Sequence, residues 1–138
     1  MPYISSFVYC DNVPLIMTPQ GPQPQIMNPL EALKPVSIPG NFTFCISCNI
    51  SDLELGKEHQ LQIAFFDPDE KLLCEFVNAK FAAPEHMQDG QKPQALQMNV
   101  DVRNVVLRKA GVHRTVVKVD GEIIGEYKIN VVEGENHA

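Results

Sequence analysis

The sequence contains no tryptophan, and only 7% of its 138 residues are aromatic. Sugar-binding surfaces usually stack the sugar on exposed aromatic rings, so this composition disfavours a carbohydrate-binding protein. Basic residues are also scarce, because 11 Lys and Arg stand against 17 Asp and Glu and the net charge is −6. An acidic surface repels phosphate groups. We therefore expect neither nucleic acid nor an anionic membrane surface as a partner.

Long apolar runs are absent as well. No stretch approaches the roughly 20 consecutive apolar residues that a membrane-spanning helix needs. The first residues, MPYISSFVYCDN, have neither the basic segment nor the small-residue cleavage site of a signal peptide. We therefore expect a cytoplasmic protein, in which the four cysteines stay reduced.

The common sequence motifs of nucleotide-binding, hydrolase and metalloprotease sites are not found. The sequence has no glycine-rich phosphate loop, no G-x-S-x-G elbow, no Walker lysine and no H-E-x-x-H pair. Because no catalytic constellation is visible, we expect a protein that is not an enzyme and that needs neither cofactor nor metal.

Strict alternation of apolar and polar residues is the strongest positive signal. In NFTFCISCNI, residues 41–50, five apolar side chains fall on one parity, which predicts a strand with one buried face. HQLQIAFFD, LLCEFVNAKF and ALQMNVDV repeat the pattern, and in the second of these Leu72, Cys74 and Phe76 share one face. About eight short strands with almost no helix predict one all-β domain over residues 1–138, an immunoglobulin-like antiparallel β-sandwich. The predicted core consists of Phe7, Phe42, Phe44, Ile46, Cys48, Leu61, Ile63, Phe65, Cys74, Phe76, Met98, Val100, Val102, Val117, Val119, Tyr127, Ile129 and Val131.

A hairpin is predicted near the carboxyl end, where Asp120-Gly121 separates two apolar strands. This dipeptide is typical of a type I′ turn. Regular pairing would set Val117 opposite Ile124, but the apolar residues after that point follow the other parity. A β-bulge at Gly125 corrects the register, and we favour it over close approach of a ligand at that glycine.

Residues 14–40 contain seven prolines, which excludes the interior of a sheet. Within this proline-rich excursion, NPLEALKP predicts a helix of about a turn and a half. Asn28 is its N-cap, Pro29 its first residue and Glu31 part of a capping box, and Pro35 ends it. The rest of the excursion either covers a sheet edge or binds a partner. Residues 133–138 form a tail that we expect to fray.

Cys45 and Cys48 form a C-x-x-C motif, a spacing typical of zinc sites and redox dithiols. Both uses need converging sulfurs, whereas residues three apart on a strand point to opposite faces. No second C-x-x-C is present, so Cys74 and His59 would have to complete a zinc site. We favour buried structural cysteines and keep metal or redox chemistry as the alternative.

The four histidines show no metal-binding spacing. Solvated side chains are expected at His59, His86 and His137, whereas His113 falls on the inward face of its strand. A buried histidine usually finds a hydrogen bond and does nothing else, so an acid–base role is the weaker interpretation.

The turn DPDE, residues 67–70, offers three carboxylates that calcium could use. It lacks the length and the central glycine of an EF-hand loop. Turn formation by Asp67 and Asp69 explains the cluster without a metal.

Three stretches of the chain carry a resemblance: FVYCDNV at 7–13, LQIAFFDPDEKLL at 61–73 and GVHRTVVKVDGEIIGEYKINVV at 111–132. Together they resemble a widespread bacterial family of small proteins that is classed only as a domain of unknown function. The resemblance extends from Tyr3 to Val132. It implies an immunoglobulin-like sandwich in the bacterial cytoplasm and implies no activity, cofactor or catalytic residue. This chain differs in its denser prolines and in having His113 and Thr115 where the family leads us to expect an aromatic pair.

The favoured function is a non-catalytic module for protein interaction or self-association, because exposed strand edges can pair with another chain. Phe66, Val77, Val112 and Val116 fall on outward parity and predict an apolar patch outside the core. One alternative is a sandwich that binds a small ligand, although Tyr3, Tyr9 and Tyr127 mostly occupy positions suited to the core. Another alternative is a structural component of a phage or other assembly.

Overall fold

The computed structural model describes residues 2–54, 56–82 and 96–134 of the chain. Within these ranges the regular structure is β-strand alone, and no helix there could cross a membrane. The strands in chain order are β1 (Tyr3–Asn12), β2 (Leu15–Thr18), β3 (Gly21–Pro24), β4 (Met27–Pro29), β5 (Ala32–Leu33), β6 (Gly40–Ser51), β7 (Glu58–Phe66), β8 (Leu72–Ala82), β9 (Leu96–Leu107), β10 (Gly111–Val119) and β11 (Glu122–Val131).

Two sheets pack face to face. One has the strand order β4-β1-β6-β9, the other has the order β5-β11-β10-β7-β8, and β2 and β3 form a separate hairpin. All pairs are antiparallel except β5 with β11. The predicted all-β, immunoglobulin-like sandwich is therefore confirmed, with one short parallel pair that the sequence did not indicate.

The core lies between the sheets and uses alternate residues of the long strands. Phe44 of β6 and Phe65 of β7 meet there, with ring centroids 6.1 Å apart. Every predicted core residue either belongs to the buried cluster or packs against it. The prediction omitted some buried members of the cluster: Tyr9, Leu33, Ile50, Leu53, Val105 and Leu107.

The turn between β10 and β11 has the predicted geometry. Asp120 and Gly121 have φ angles of 53° and 83°. Positive φ at both central positions is typical of a type I′ turn. Val119 pairs with Glu122 across it, as expected.

The predicted bulge at Gly125 is also confirmed. Val117 pairs with Gly125 and leaves Ile124 without a partner in the register. A Cβ atom at Gly125 would lie only 2.7 Å from the Tyr127 ring. The glycine therefore serves two purposes, because it permits the register correction and leaves room for that ring.

The predicted helix in NPLEALKP is wrong. Its residues contribute instead to β4, which pairs with β1, and to β5, which pairs with β11. Asn28 has a φ of 53°, in the left-handed region, whereas an N-cap residue has extended backbone angles. A helix of about a turn and a half has little stability of its own, so pairing with two sheet edges overrides its capping signals.

The alternation predicted for β8 is wrong in two places, because two register shifts against β7 introduce bulges into β8. Leu72, expected inward, is 55% exposed, and Leu73 packs against the core in its place. Val77, expected outward, pairs with Ile63 and packs against the core. A bulge shifts the parity of all residues that follow it, so the strict period-2 reading fails there.

Candidate functional site

The two sides of the sandwich differ in how their sheet edges are covered. On one side β4 adds to β1 and β5 adds to β11, so the proline-rich segment covers both edges. Further backbone bonds extend this cover: Leu30 N–H donates to Tyr9 O at 2.7 Å, and Gly134 N–H donates to Pro35 O at 2.7 Å. The second bond holds the start of the predicted tail, whose residues 135–138 lie outside the described ranges.

On the other side, β8 and β9 are the last strands of their sheets. Among residues 2–54, 56–82 and 96–134, no segment pairs with the outer edge of either strand. Both strands are long, spanning 11 and 12 residues. Such an edge presents a row of free N–H and C=O groups that can pair with another chain. We call this the open side.

A cleft of about 520 Å³ lies between the two open edges. Its walls are residues 72–76 of β8 and 101–106 of β9, together with Arg108. Half-buried Phe76 and buried Val102 and Val105 make part of the lining apolar. Leu72 and Val106 line the cleft too, and they are 55% and 44% exposed. The cleft therefore offers apolar contacts directly beside unpaired backbone.

Bulges coincide with this cleft. Besides the two shifts in β8, β9 has a register shift against β6, where Asn104 adopts a φ of 55°. The Asn104 N–H leaves the ladder and donates to Thr43 Oγ1 at 3.0 Å. A bulge bends its strand away from regular pairing. The bulges of β8 and β9 therefore lie in the parts of these strands that border the cleft.

The charged residues of the cleft include both signs: Glu75, Asp101, Arg103 and Arg108. Arg103 and Asp101 form an ion pair of 4.0 Å, with 78% and 63% of their side chains exposed. An exposed pair contributes only about 0–1 kcal/mol, so either partner can exchange it for another contact. A cleft with charges of both signs suits a peptide segment that is neutral or of mixed charge better than a polyanion.

The C-x-x-C motif has the divergent geometry that the strand predicts. Cys48 belongs to the core, whereas Cys45 points to the other face and donates to Asp101 Oδ1 at 2.8 Å. All four cysteines are free. Burial raises the pKa of Cys45 to about 12 and that of Cys48 to about 11. Because the thiolate is the reactive form, these thiols are poor nucleophiles near neutral pH.

Metal ligation is not supported by the described part of the chain. No group of three His, Cys, Asp or Glu side chains there is placed to hold an ion. At the DPDE turn, Asp67 Oδ1 accepts from the backbone N–H of Asp69 at 2.8 Å and of Lys71 at 2.9 Å. Asp69 forms an ion pair with Lys109. The turn chemistry predicted for Asp67 is therefore confirmed.

His59 is not the solvated side chain that the sequence predicts, because it is only 4% exposed. Its Nδ1 lies 2.7 Å from Asp120 Oδ2, and its Nε2 lies 2.8 Å from the Glu54 carbonyl oxygen. A carboxylate and a carbonyl can only accept, so both contacts are hydrogen bonds when both ring nitrogens carry a proton and the ring is positively charged. The Glu54 carbonyl, and then Asp120, raise the pKa of His59. His59 thus ties the segment before β7 to the β10–β11 turn.

His113 lies on the inward face of β10, as predicted, and is fully buried. Its Nδ1 is 3.0 Å from the Gly111 carbonyl oxygen, and its ring stacks on Phe65 at 5.4 Å. Nε2 has no hydrogen-bond partner among the described residues. Without a partner that could exchange a proton, the structural interpretation of His113 is favoured. His86 and His137 lie outside the described residues.

Thr115 lies on the same inward face of β10 as His113, and its hydroxyl group takes part in a contact between the two sheets. Tyr9 of β1 donates its hydroxyl proton to the Tyr127 carbonyl oxygen at 2.9 Å. The Tyr9 and Thr115 hydroxyl oxygens are 2.7 Å apart. Because Tyr9 has a single hydroxyl proton, Thr115 must be the donor of this second bond. Burial raises the pKa of Tyr9, so the phenol stays protonated.

The predicted outer apolar patch does not form as expected. Val77 packs inward, and Val116 is only 5% exposed. Phe66 is half-buried and has the Arg114 guanidinium 5.0 Å from its ring centroid. Only Val112, at 52% exposure, matches the prediction.

A comparison with protein families shows the family of the chain. Residues 6–132 match the model of DUF6941, a family of unknown function. The chain belongs to DUF6941. The matched residues begin in β1 and continue to the end of β11, so they include the whole open side. The predicted relationship to an uncharacterised family is confirmed, and no curated protein matches this DUF6941 chain.

Solved structures similar to the DUF6941 chain have little sequence in common with it. An immunoglobulin-like protein from Pseudomonas aeruginosa has a TM-score of 0.48 and 13% identity, covering 96% of this chain and 97% of its own. A β-glucosidase from Listeria innocua, in complex with glucose, has a TM-score of 0.47 and 10% identity, covering 96% and 16%. The alkylpurine DNA glycosylase AlkC from Pseudomonas fluorescens, bound to DNA with an abasic site analogue, has a TM-score of 0.44 and 10% identity, covering 91% and 30%. No activity is carried over to DUF6941 from these similarities.

Proposed function

We propose that this DUF6941 protein is a non-catalytic interaction module that binds an extended segment of a partner protein along the open side between β8 and β9. The observation that supports this proposal is that the two sides of the sandwich differ in how their sheet edges are covered. The chain covers one pair of edges with short strands of its own, whereas no described segment covers the other pair. A partner strand would pair with β8 or β9 as β4 pairs with β1.

The cleft supports this proposal because it offers a place for side chains of the added strand. Alternate residues of a strand point to the same face, so one or two apolar side chains of the partner would enter between Leu72 and Val106. The volume of about 520 Å³ is large enough for them. Backbone pairing would supply affinity, and the apolar cleft with its mixed charges would supply sequence preference.

We also propose a location in the bacterial cytoplasm. All four cysteines are free, although Cys10 and Cys45 are directly opposite each other on β1 and β6. Free cysteines that face each other are expected where glutathione and thioredoxin keep thiols reduced.

Selection of displayed peptides against the folded protein tests the proposed interaction. We expect the selected peptides to alternate apolar and polar residues and to shift the backbone NMR signals of β8 and β9. Leu72→Ser and Val106→Ser should each weaken their binding by about tenfold, since each removes an apolar contact of the cleft. Val112→Ser is the matched control, because Val112 is 52% exposed and does not line the cleft. Peptides that map to another surface, or that bind all three variants equally, would contradict the proposal.

A small ligand is the second candidate, and the cleft volume favours it. About 520 Å³ falls within the range of roughly 300–1,000 Å³ that small-molecule sites occupy. A ligand that binds the folded state must raise its melting temperature. A thermal-shift screen of metabolites supports this candidate if a hit loses its effect in Leu72→Ser, and a screen without hits removes it.

A further inference from the structure

The β2–β3 hairpin differs from the rest of the fold because it belongs to neither sheet. Leu15, Ile16 and Met17 of β2 are 69%, 41% and 77% exposed. Side chains of successive residues point to opposite faces, so apolar groups are exposed on both faces of this strand. A short ribbon with this property buries little within its own chain.

The hydrogen bonds of the hairpin define which backbone groups are free. Gln25 N–H donates to Pro14 O at 2.9 Å, and Leu15 is paired with Pro24. In an antiparallel ladder this arrangement identifies Leu15 and Pro24 as a non-hydrogen-bonded pair, whose own backbone nitrogens and carbonyl groups point away from each other. Met17, two residues on, has the same orientation. The outer edge of β2 thus presents the backbone N–H and C=O groups of Leu15 and of Met17, and no described residue forms a hydrogen bond with them.

The outer edge of β3 is different. Pro22 and Pro24 are the residues whose backbone nitrogens point outward there, because they pair with Met17 and Leu15. Proline has no N–H, so this edge has carbonyl acceptors and no donors at those positions. Proline is a usual means of protecting an edge. Only the β2 edge of the ribbon can therefore accept a complete antiparallel strand.

The charge distribution favours a second copy of the chain as that strand. The net charge is −6, so two copies repel each other over most of their surfaces. From residue 12 to residue 30 the sequence has no Asp, Glu, Lys, Arg or His. The hairpin lies within this uncharged stretch and can approach its own copy without repulsion between like charges.

We propose that the protein self-associates through β2, which pairs antiparallel with β2 of a second copy around a two-fold axis at Ile16. In this register Leu15 of one copy and Met17 of the other are a hydrogen-bonded pair, and so are their symmetry mates. The two copies of Ile16 face each other as the central, non-hydrogen-bonded pair. The product is a four-stranded ribbon, β3-β2-β2-β3, with a proline-protected strand at each outer edge. The interface is isologous and closes at the dimer.

Sedimentation equilibrium between about 10 μM and 1 mM tests the proposal, because such a small interface is expected to be weak. Met17→Pro removes the outward N–H of Met17 without removing a hydrogen bond within the chain, and Leu15→Lys places two like charges at diagonal positions on one face of the ribbon, on either side of the dimer axis. Each substitution should raise the dissociation constant about tenfold or more. Gln23→Lys adds the same charge to β3 and serves as the control, with an expected change of less than about threefold. A monomer over the whole range, or a dimer that Met17→Pro leaves intact, would overturn the proposal.

Cross-linking tests the register separately. Ile16→Cys places two thiols directly opposite each other at the axis, where Cα atoms of a non-hydrogen-bonded pair are about 4.5 Å apart, within the range that a disulfide spans. Mild oxidation should yield a covalent dimer from Ile16→Cys and not from Gln23→Cys. Equal cross-linking of both variants would contradict this register. Leu72→Ser leaves the hairpin unchanged, so it should alter peptide binding on the open side and not the dimer, which separates the two proposals.

Discussion

Replacing Tyr9 by phenylalanine removes one hydroxyl group from the contact between the two sheets. That hydroxyl donates to the Tyr127 carbonyl at 2.9 Å and accepts from Thr115 at 2.7 Å, and Tyr9 is only 7% exposed. The substitution leaves the half-buried Tyr127 carbonyl and the buried Thr115 hydroxyl without this partner. The cost of such unsatisfied groups is about 1–3 kcal/mol. We therefore expect Tyr9→Phe to lower the free energy of unfolding by about 2 kcal/mol, out of a total of roughly 5–15 kcal/mol.

A double-mutant cycle with Thr115→Val shows whether the two hydroxyls act as a unit. Thr115→Val alone should cost about 0.5–1.5 kcal/mol, because Tyr9 keeps its bond to Tyr127. The double variant should cost little more than Tyr9→Phe, which gives a coupling energy of about 0.5–1.5 kcal/mol. Urea unfolding measures all three, and Tyr3→Phe is the control, since Tyr3 lies on the same strand and is 55% exposed. Costs that add within about 0.3 kcal/mol would refute the argument.

Three further predictions concern stability, and urea unfolding measures each of them. His59→Gln should cost more stability at about pH 6 than at about pH 9. Because the pKa of His59 is raised in the folded protein, the charged ring stabilises the fold below the ordinary pKa of histidine, and this stabilisation is lost as pH rises through the raised value. Asp120 is 47% exposed, which weakens its ion pair with His59. A cost of His59→Gln that does not depend on pH would contradict a charged His59 ring. Gly125→Ala should cost about 1–3 kcal/mol, because its Cβ would lie 2.7 Å from the Tyr127 ring, and a neutral result would mean that the ring moves freely. Phe44→Ala should cost about 3–5 kcal/mol, since Phe44 is fully buried, and an unchanged urea midpoint would contradict the core.

Alternation and turn chemistry were sufficient to predict the sandwich, because each is a local signal that the final packing agrees with. Residues 41–50 show this for β6, and Asp120-Gly121 with Gly125 shows it for the last hairpin. The sequence also contained unused signals of the same kind for β8. Leu72-Leu73 and Phe76-Val77 are adjacent apolar pairs that interrupt strict alternation, and the structure has a bulge at each pair. Leu73, Phe76 and Val77 pack against the core, whereas Leu72 stays exposed.

The features that could not be predicted depend on contacts between segments that are distant in sequence. The helix signals around Asn28 are local, whereas the edges of β1 and β11 that capture those residues are assembled from other parts of the chain. His59 is buried because it contacts Asp120 of the β10–β11 turn and the Glu54 carbonyl, and no spacing in the sequence indicates these contacts. The open side follows from which strands end the sheets, so it becomes visible only once the topology is known.

Residue-resolved amide exchange of the isolated protein, followed by NMR, tests whether the outer edges of β8 and β9 are uncovered. Alternate amides of β8 and β9 should exchange rapidly, because their N–H groups face solvent at an uncovered edge. The amides of Leu30 and Val132, which donate to Tyr9 and Leu33 at 2.7 and 3.0 Å, should exchange slowly on the covered side. Slow exchange of every amide in both β8 and β9 would show that these edges are already occupied, and the proposed binding side would not exist.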